Sequence, residues 1–214
     1  MQRQRLTITL DTDTLTALDS LVDDDTLRNR SHAIEHYLKQ GLGLHQLRQA
    51  FLFLEAGWEQ DQLEKVLDLC SKTGITTLYL CLPSKLSGLA SEVEASIAQK
   101  GGFTTQFVPT DFGSGAAVLL QKAQLDQPFL LCWFTHELKV PDSLLLPYLF
   151  HTEHRSILTM LLSSNNALEY RASGLSIAQP ELTSYIQAGI SSLATDVFPL
   201  LLKDGKVRGY TASS

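Results

Sequence analysis

The chain has 214 residues, 44% of them apolar, which is enough for a packed core and for one or two domains. A net charge of −6 excludes broad, nonspecific binding to nucleic acid and confines any such contact to a local patch. No apolar run reaches the length of a membrane span, the nearest being residues 128–134. The first ten residues alternate where a secretion signal would be continuously apolar, so a cytoplasmic protein is expected. Cys70, Cys81 and Cys132 form no CxxC pair and sit in apolar contexts, which fits buried, reduced thiols.

Residues 5–10 read Arg-Leu-Thr-Ile-Thr-Leu, a strict alternation that predicts a strand. Leu6, Ile8 and Leu10 fall on one face; Arg5, Thr7 and Thr9 fall on the other, one cation and two hydroxyls suited to hydrogen-bonding base edges. A lone strand of this length cannot stand in water, and no second short strand precedes residue 50. The expected partner is therefore the same strand of a second copy, giving an antiparallel ribbon narrow enough for the DNA major groove. Asp11, Thr12 and Asp13 end the strand and cap a helix whose Leu15, Leu18, Leu21 and Val22 form one stripe. Asp23, Asp24 and Asp25 stop it, since acids oppose the macrodipole at a helix C-terminus. A second helix starts with Asn29 as its N-cap, places Ala33, Ile34, Tyr37 and Leu38 inward and ends near Gly41 and Gly43. Its free N-terminal amides, beside Asn29, Arg30 and Ser31, make an anion site.

This order of elements in residues 1–43 resembles the ribbon-helix-helix family of transcriptional repressors, and the small plasmid copy-control repressors in particular. The resemblance implies an intertwined dimer in which Arg5, Thr7 and Thr9 read bases, while Arg3, Arg28, Asn29, Arg30 and Ser31 hold phosphates of double-stranded DNA. Through residue 48 the segment carries six basic and seven acidic groups, so the expected affinity per dimer is modest and the salt dependence shallow. The basic groups gather at the strand and at the second helix start.

From residue 50 the pattern changes, after a short linker over 41–49. Apolar runs at 50–54, 76–82, 103–109 and 129–134 predict strands; 60–72, 91–99 and 115–124 predict helices. Buried strands alternating with helices indicate an α/β domain, residues 50–214, with a mainly parallel sheet. His136 and Glu137 read as the polar end of a strand, and His151 and His154 as a solvated helix face. Trp58 and Trp133 read as core or interface residues.

Residues 50–210 resemble the sugar-phosphate nucleotidyltransferases, which have a Rossmann-like fold. The likeness rests on Gly174-Leu175-Ser176-Ile177, on Pro180-Glu181-Leu182, on residues 192–199 and on residues 205–210. Gly113, Ser114, Gly115, Ala116 and Ala117 stand where the family has a small-residue turn that admits a nucleotide base. Against this, residues 55–59 (Glu-Ala-Gly-Trp-Glu) pass into the helix without the family's long glycine-rich, basic loop. Thr135, His136 and Glu137 replace its metal-binding aspartate, and the sequence stops before its second metal carboxylate. The expectation is therefore a DNA-binding regulator, a repressor, acting as a homodimer or higher oligomer. Its second domain is expected to be non-catalytic, with no cofactor or metal and a vestigial pocket at Gly57, Gly113, Ser114, Gly115 and Ala116. That pocket would sense a nucleotide or nucleotide-sugar effector. The alternatives are an active nucleotidyltransferase with an N-terminal dimerisation clasp, or an antitoxin or partition adaptor.

Overall fold

The structure, a computed structural model, describes residues 7–22, 28–41, 47–54, 58–166 and 169–211. The chain divides into two compact units, residues 1–45 and 46–214.

In the first unit two helices are described. Helix α1 (Thr12–Leu21) starts where Asp11 accepts hydrogen bonds from the Thr14 amide and hydroxyl, both at 2.8 Å. Helix α2 (Arg30–Gly41) is capped by Asn29, whose side-chain oxygen accepts from the His32 amide at 2.9 Å. Leu18 of α1 and Ala33 of α2 are buried. Among the described residues the predicted strand does not form: Thr7, Ile8, Thr9 and Leu10 have no strand pairing, and Ile8 is 42% exposed. Arg5 and Leu6 lie outside the described residues. The physical reason is the one that argued for a second copy, since a strand without a partner has no ladder to join.

The second unit is a seven-stranded sheet in the order β3-β2-β1-β4-β6-β5-β7. Strands β1 (Gln49–Leu54), β2 (Thr77–Leu82), β3 (Thr104–Pro109) and β4 (Phe129–Phe134) are mutually parallel. Each of these four but β3 is a nearly continuous apolar run because it is buried on both faces. Leu52, Leu80 and Leu130 face helices α3 (Gln60–Thr73) and α4 (Ser87–Lys100); Phe51, Tyr79 and Phe129 face the opposite layer. There Phe51 stacks on Tyr79 at 4.5 Å and meets Phe129 edge-on at 5.4 Å. Helix α3 ends at Gly74, whose φ of 86° suits a left-handed C-cap that few other residues tolerate.

The rest of the sheet is mixed. Strand β6 (Glu169–Ala178) runs antiparallel to β4 and to β5 (Leu158–Asn166), and β7 (Val207–Thr211) closes the edge parallel to β5. Helix α6 (Leu145–Glu153) packs beneath this half; α5 (Gly113–Leu120) and α7 (Phe198–Lys203) lie on the other face. Two expected boundaries shift: α4 begins four residues before Ser91, and α5 stops at Leu120, with a short 3₁₀ turn over Lys122–Gln124. Cys70, Cys81 and Cys132 are buried, and burial pushes each thiol upward, Cys70 to about 12. Among the described residues, no helix is long and apolar enough to cross a membrane.

Candidate functional site

Parallel strands aim their C-terminal ends at one edge of the sheet, and there the chain must leave each strand by a loop that presents polar groups. Leu82 of β2 leads into Pro83, Ser84 and Lys85; Pro109 of β3 leads into Thr110, Asp111 and Phe112; Phe134 of β4 leads into Thr135, His136 and Glu137. The first two loops are tied together. The Ser84 amide donates to both oxygens of Asp111 at 3.2 Å, and the Ser84 hydroxyl donates to the same carboxylate. Those Ser84 hydrogen bonds, with the Lys85 charge adding to them, hold the Asp111 carboxyl below its usual range. After β4, Gln62 of α3 donates to the Thr135 carbonyl at 3.1 Å, and Arg171 of β6 pairs with Glu137 at 3.0 Å. His136 stands exposed in the turn between them.

The small-residue turn at the start of α5 serves a contact within the chain. The Gly115 amide donates to the Ser191 carbonyl at 2.8 Å, and the Ala116 amide to the same oxygen at 3.4 Å. Ser114 Oγ accepts from the Leu193 amide at 2.9 Å. Gly113 has a φ of 92°, and a Cβ there would strike the Ser191 carbonyl; one on Gly115 would come within 2.7 Å of Ser191 Oγ. Glycine is needed because the 191–193 backbone crosses at this point. Gly57, expected in the same pocket, lies outside the described residues.

Other candidates fall as follows. Arg3 and Arg5 are outside the described residues, and Thr7 and Thr9 are exposed. Arg28 and Ser31 are exposed beside the α2 start, but the first-turn amide of His32 is already taken by Asn29. Arg30 is turned to Asp19, with its Nε and Nη2 at 2.5 and 2.6 Å from the carboxylate, so the cation expected on phosphate is neutralised within the unit. Trp133 stacks on Phe53 at 5.0 Å and Trp58 packs on the α3-side core, both in the core role expected of them. His151 departs from the solvated reading. It is fully buried, its Nδ1 lies 2.8 Å from Thr159 Oγ1, and burial drives its pKa down to about 4. His154 is exposed, its Nδ1 2.9 Å from the Phe150 carbonyl. Periodicity alone could not separate these two histidines, because the strand that buries the first comes later in the chain.

The nucleotidyltransferase resemblance implies a magnesium-binding carboxylate at the end of β4. Glu137, the carboxylate there, is engaged by Arg171, and among the described residues no three His, Cys, Asp or Glu side chains gather where an ion could sit. The donor set does not fit the ion in that position.

Neither a protein-family model nor a curated protein sequence matches the chain. Solved structures do. A Bacillus anthracis protein assigned as a glucose-1-phosphate thymidylyltransferase superposes with a TM-score of 0.55 at 14% identity, over 78% of this chain and 87% of that one. A 4-diphosphocytidyl-2C-methyl-D-erythritol synthase from Anaerococcus prevotii gives 0.54 at 11%, over 79% and 88%. The inositol-1-phosphate CTP transferase of T. maritima gives 0.52 at 11%, over 77% and 85%. At these identities the likeness establishes the fold: the second unit is a nucleotidyltransferase-like α/β domain. The comparison also corrects the expected function. Most of the chain has the fold of proteins named for thymidylyl or CTP transfer, and nothing in the described part of the first unit points to DNA. The reading as a repressor with a non-enzymatic body is therefore overturned.

Proposed function

We propose that residues 46–214 bind a nucleoside triphosphate beyond the C-terminal ends of β1, β2 and β4 and transfer its nucleotidyl group to a phosphorylated small molecule. The observation that carries this reading is the strand order 3-2-1-4-6-5-7, in which β1 lies between β2 and β4 and crossovers leave on both sides of it. Open parallel sheets take ligands in the crevice outside such a switch point. In the transfer, an acceptor phosphate oxygen attacks the α-phosphorus and pyrophosphate leaves, so the protein's part is alignment and neutralisation of charge. Lys85, placed beside Asp111 by the Ser84 bonds, supplies a cation at that edge. The test is pyrophosphate release from a panel of nucleoside triphosphates and sugar 1-phosphates. Turnover that falls at least tenfold in Lys85→Ala is the expected result. An absence of both turnover and nucleotide-dependent thermal stabilisation overturns the reading.

We further propose that residues 1–43 form a ribbon-helix-helix clasp that joins two copies through their N-terminal strands. The exposed Ile8 supports it, as an apolar side chain that a second strand would cover. Sedimentation of the full chain should give a dimer, and Ile8→Asp a monomer, because a carboxylate cannot be buried unpaired at that seam. A wild-type monomer at every concentration defeats the clasp.

A further inference from the structure

An open sheet must keep its outer strands from pairing with any strand they meet, because each presents a row of unbonded amides and carbonyls. The two ends of this sheet differ in that respect. At β7 the Lys206 carbonyl is turned to β5, where it accepts from the Leu158 amide, so the carbonyls of Gly205 and Val207 are turned outward. The Arg208 guanidinium donates to both, at 3.2 and 3.1 Å, and so covers its own edge with a charge.

At the other end β3 has no such cover. Residues 101–110 include no charged side chain. The Thr104 amide donates to the Thr76 carbonyl at 2.7 Å and the Thr110 amide to Leu82 at 3.1 Å, so even-numbered residues are turned to β2. Thr105 and Phe107 are therefore turned outward, and among the described residues no further strand meets them. The approach is open. Thr104 and Gln106 are exposed, and a Cβ on Gly101 or Gly102 would touch nothing within 4 Å.

This edge is complementary to itself. Antiparallel pairing centred on Gln106 sets Thr105 against the partner's Phe107 and Phe107 against the partner's Thr105, each pair exchanging both backbone hydrogen bonds. Gln106 then faces the partner's Gln106 across a two-fold axis. A primary amide, donor and acceptor at once, bonds its own copy there, whereas a lysine or glutamate would repel it. Phe103 and Phe107, half-buried on the α4 face, lose exposure in the same step. The uncharged run is bounded by Lys100, which also pairs with Asp68, and by Asp111. Antiparallel pairing brings each Lys100 end to the partner's Asp111 end, opposite in sign.

We propose that two copies of this chain join β3 edge to β3 edge, antiparallel about Gln106, so that their sheets run on as one. The interface is small, so the association is weak, grows with concentration and is lost in dilute protein. It depends neither on the N-terminal clasp nor on nucleotidyl transfer.

Disulfide trapping in the full chain tests the register. Facing residues that share no hydrogen bonds have Cα atoms about 4.5 Å apart, within disulfide reach. The two Thr104 positions would lie about 14 Å apart, four residues along the pair. Under mild oxidation Gln106→Cys should give a covalent dimer at least about tenfold faster than Thr104→Cys, although both positions are exposed. The native cysteines are buried and do not compete. The same link should form in concentrated Ile8→Asp protein. In wild type, deuterium exchange at the Thr105 and Phe107 amides should slow as the protein is concentrated, and Gln106→Lys, which sets like charges on the axis, should remove that dependence. Equal trapping at 104 and 106 overturns the proposal. So does exchange at those two amides that ignores concentration, whether fast throughout or slow throughout, as it would be under a segment of the same chain.

Discussion

The two units of this chain hold themselves together to very different degrees. The sheet unit buries both of its faces, with Leu52, Leu80 and Leu130 on one side and Phe51, Tyr79 and Phe129 on the other. In the first unit, among the described residues, only Leu18 and Ala33 are buried hydrophobics, and Ile8 and Leu38 stay exposed at 42% and 51%. Helices of 10 and 12 residues have little stability of their own in water. The lesson is that a local pattern can be strong and correctly capped while its described residues bury little apolar surface.

That contrast can be broken experimentally. Phe129→Ala removes a fully buried ring that touches Phe51 edge-on, and should cost about 3–5 kcal/mol in urea unfolding of the sheet unit. If it costs under about 1 kcal/mol, the core is not the continuous one described. Acid should act almost as strongly. His151 is held neutral by burial, with a folded pKa of about 4 against about 6.5 when unfolded. Its contribution is complete above pH 6.5 and is lost as pH falls toward 4, roughly 3 kcal/mol in all. Stability measured across that window should drop, and His151→Gln should flatten the limb; an unchanged limb would place the acid sensitivity elsewhere. In the first unit effects should be smaller. Asn29→Ala deletes the α2 cap and should cost about 1 kcal/mol of helix stability, read by circular dichroism of the full chain. Smallest of all, Asp19→Asn breaks an exposed ion pair with Arg30 and should leave the melting temperature unmoved within error. A clear drop there would mean that the pair organises the unit more than its exposure suggests.

Sequence made the parallel half of the sheet readable and left the other half dark. Residues 50–54, 76–82 and 129–134 announce themselves because burial on both faces demands unbroken apolar runs. Strand β5 gives no such sign. Its register with β6 slips between Met160 and Leu162 and again between Ser164 and Asn166, so no clean alternation survives in 158–166. At the site, Gly113, Ser114 and Gly115 were visible as a turn needing small residues, but their need comes from Ser191, more than seventy positions later. Composition could mark the gap and not what fills it. The same holds for Arg30: its position at a helix start suggested an anion, and only coordinates reveal that Asp19 supplies one.

The segment 139–142 has a mechanical consequence. It is pinned to β6 by the Lys139 amide, and it forms part of the wall of two clefts at once: a largely apolar one of about 750 Å³ against β5, β6 and β7, and a charged one of about 620 Å³ against α3, edged by Asp61, Lys65 and Asp68. A partition shared by two rooms cannot shift without enlarging one at the other's expense. Whatever seats itself on one side of Val140 and Pro141 thereby sets how much space is left on the other.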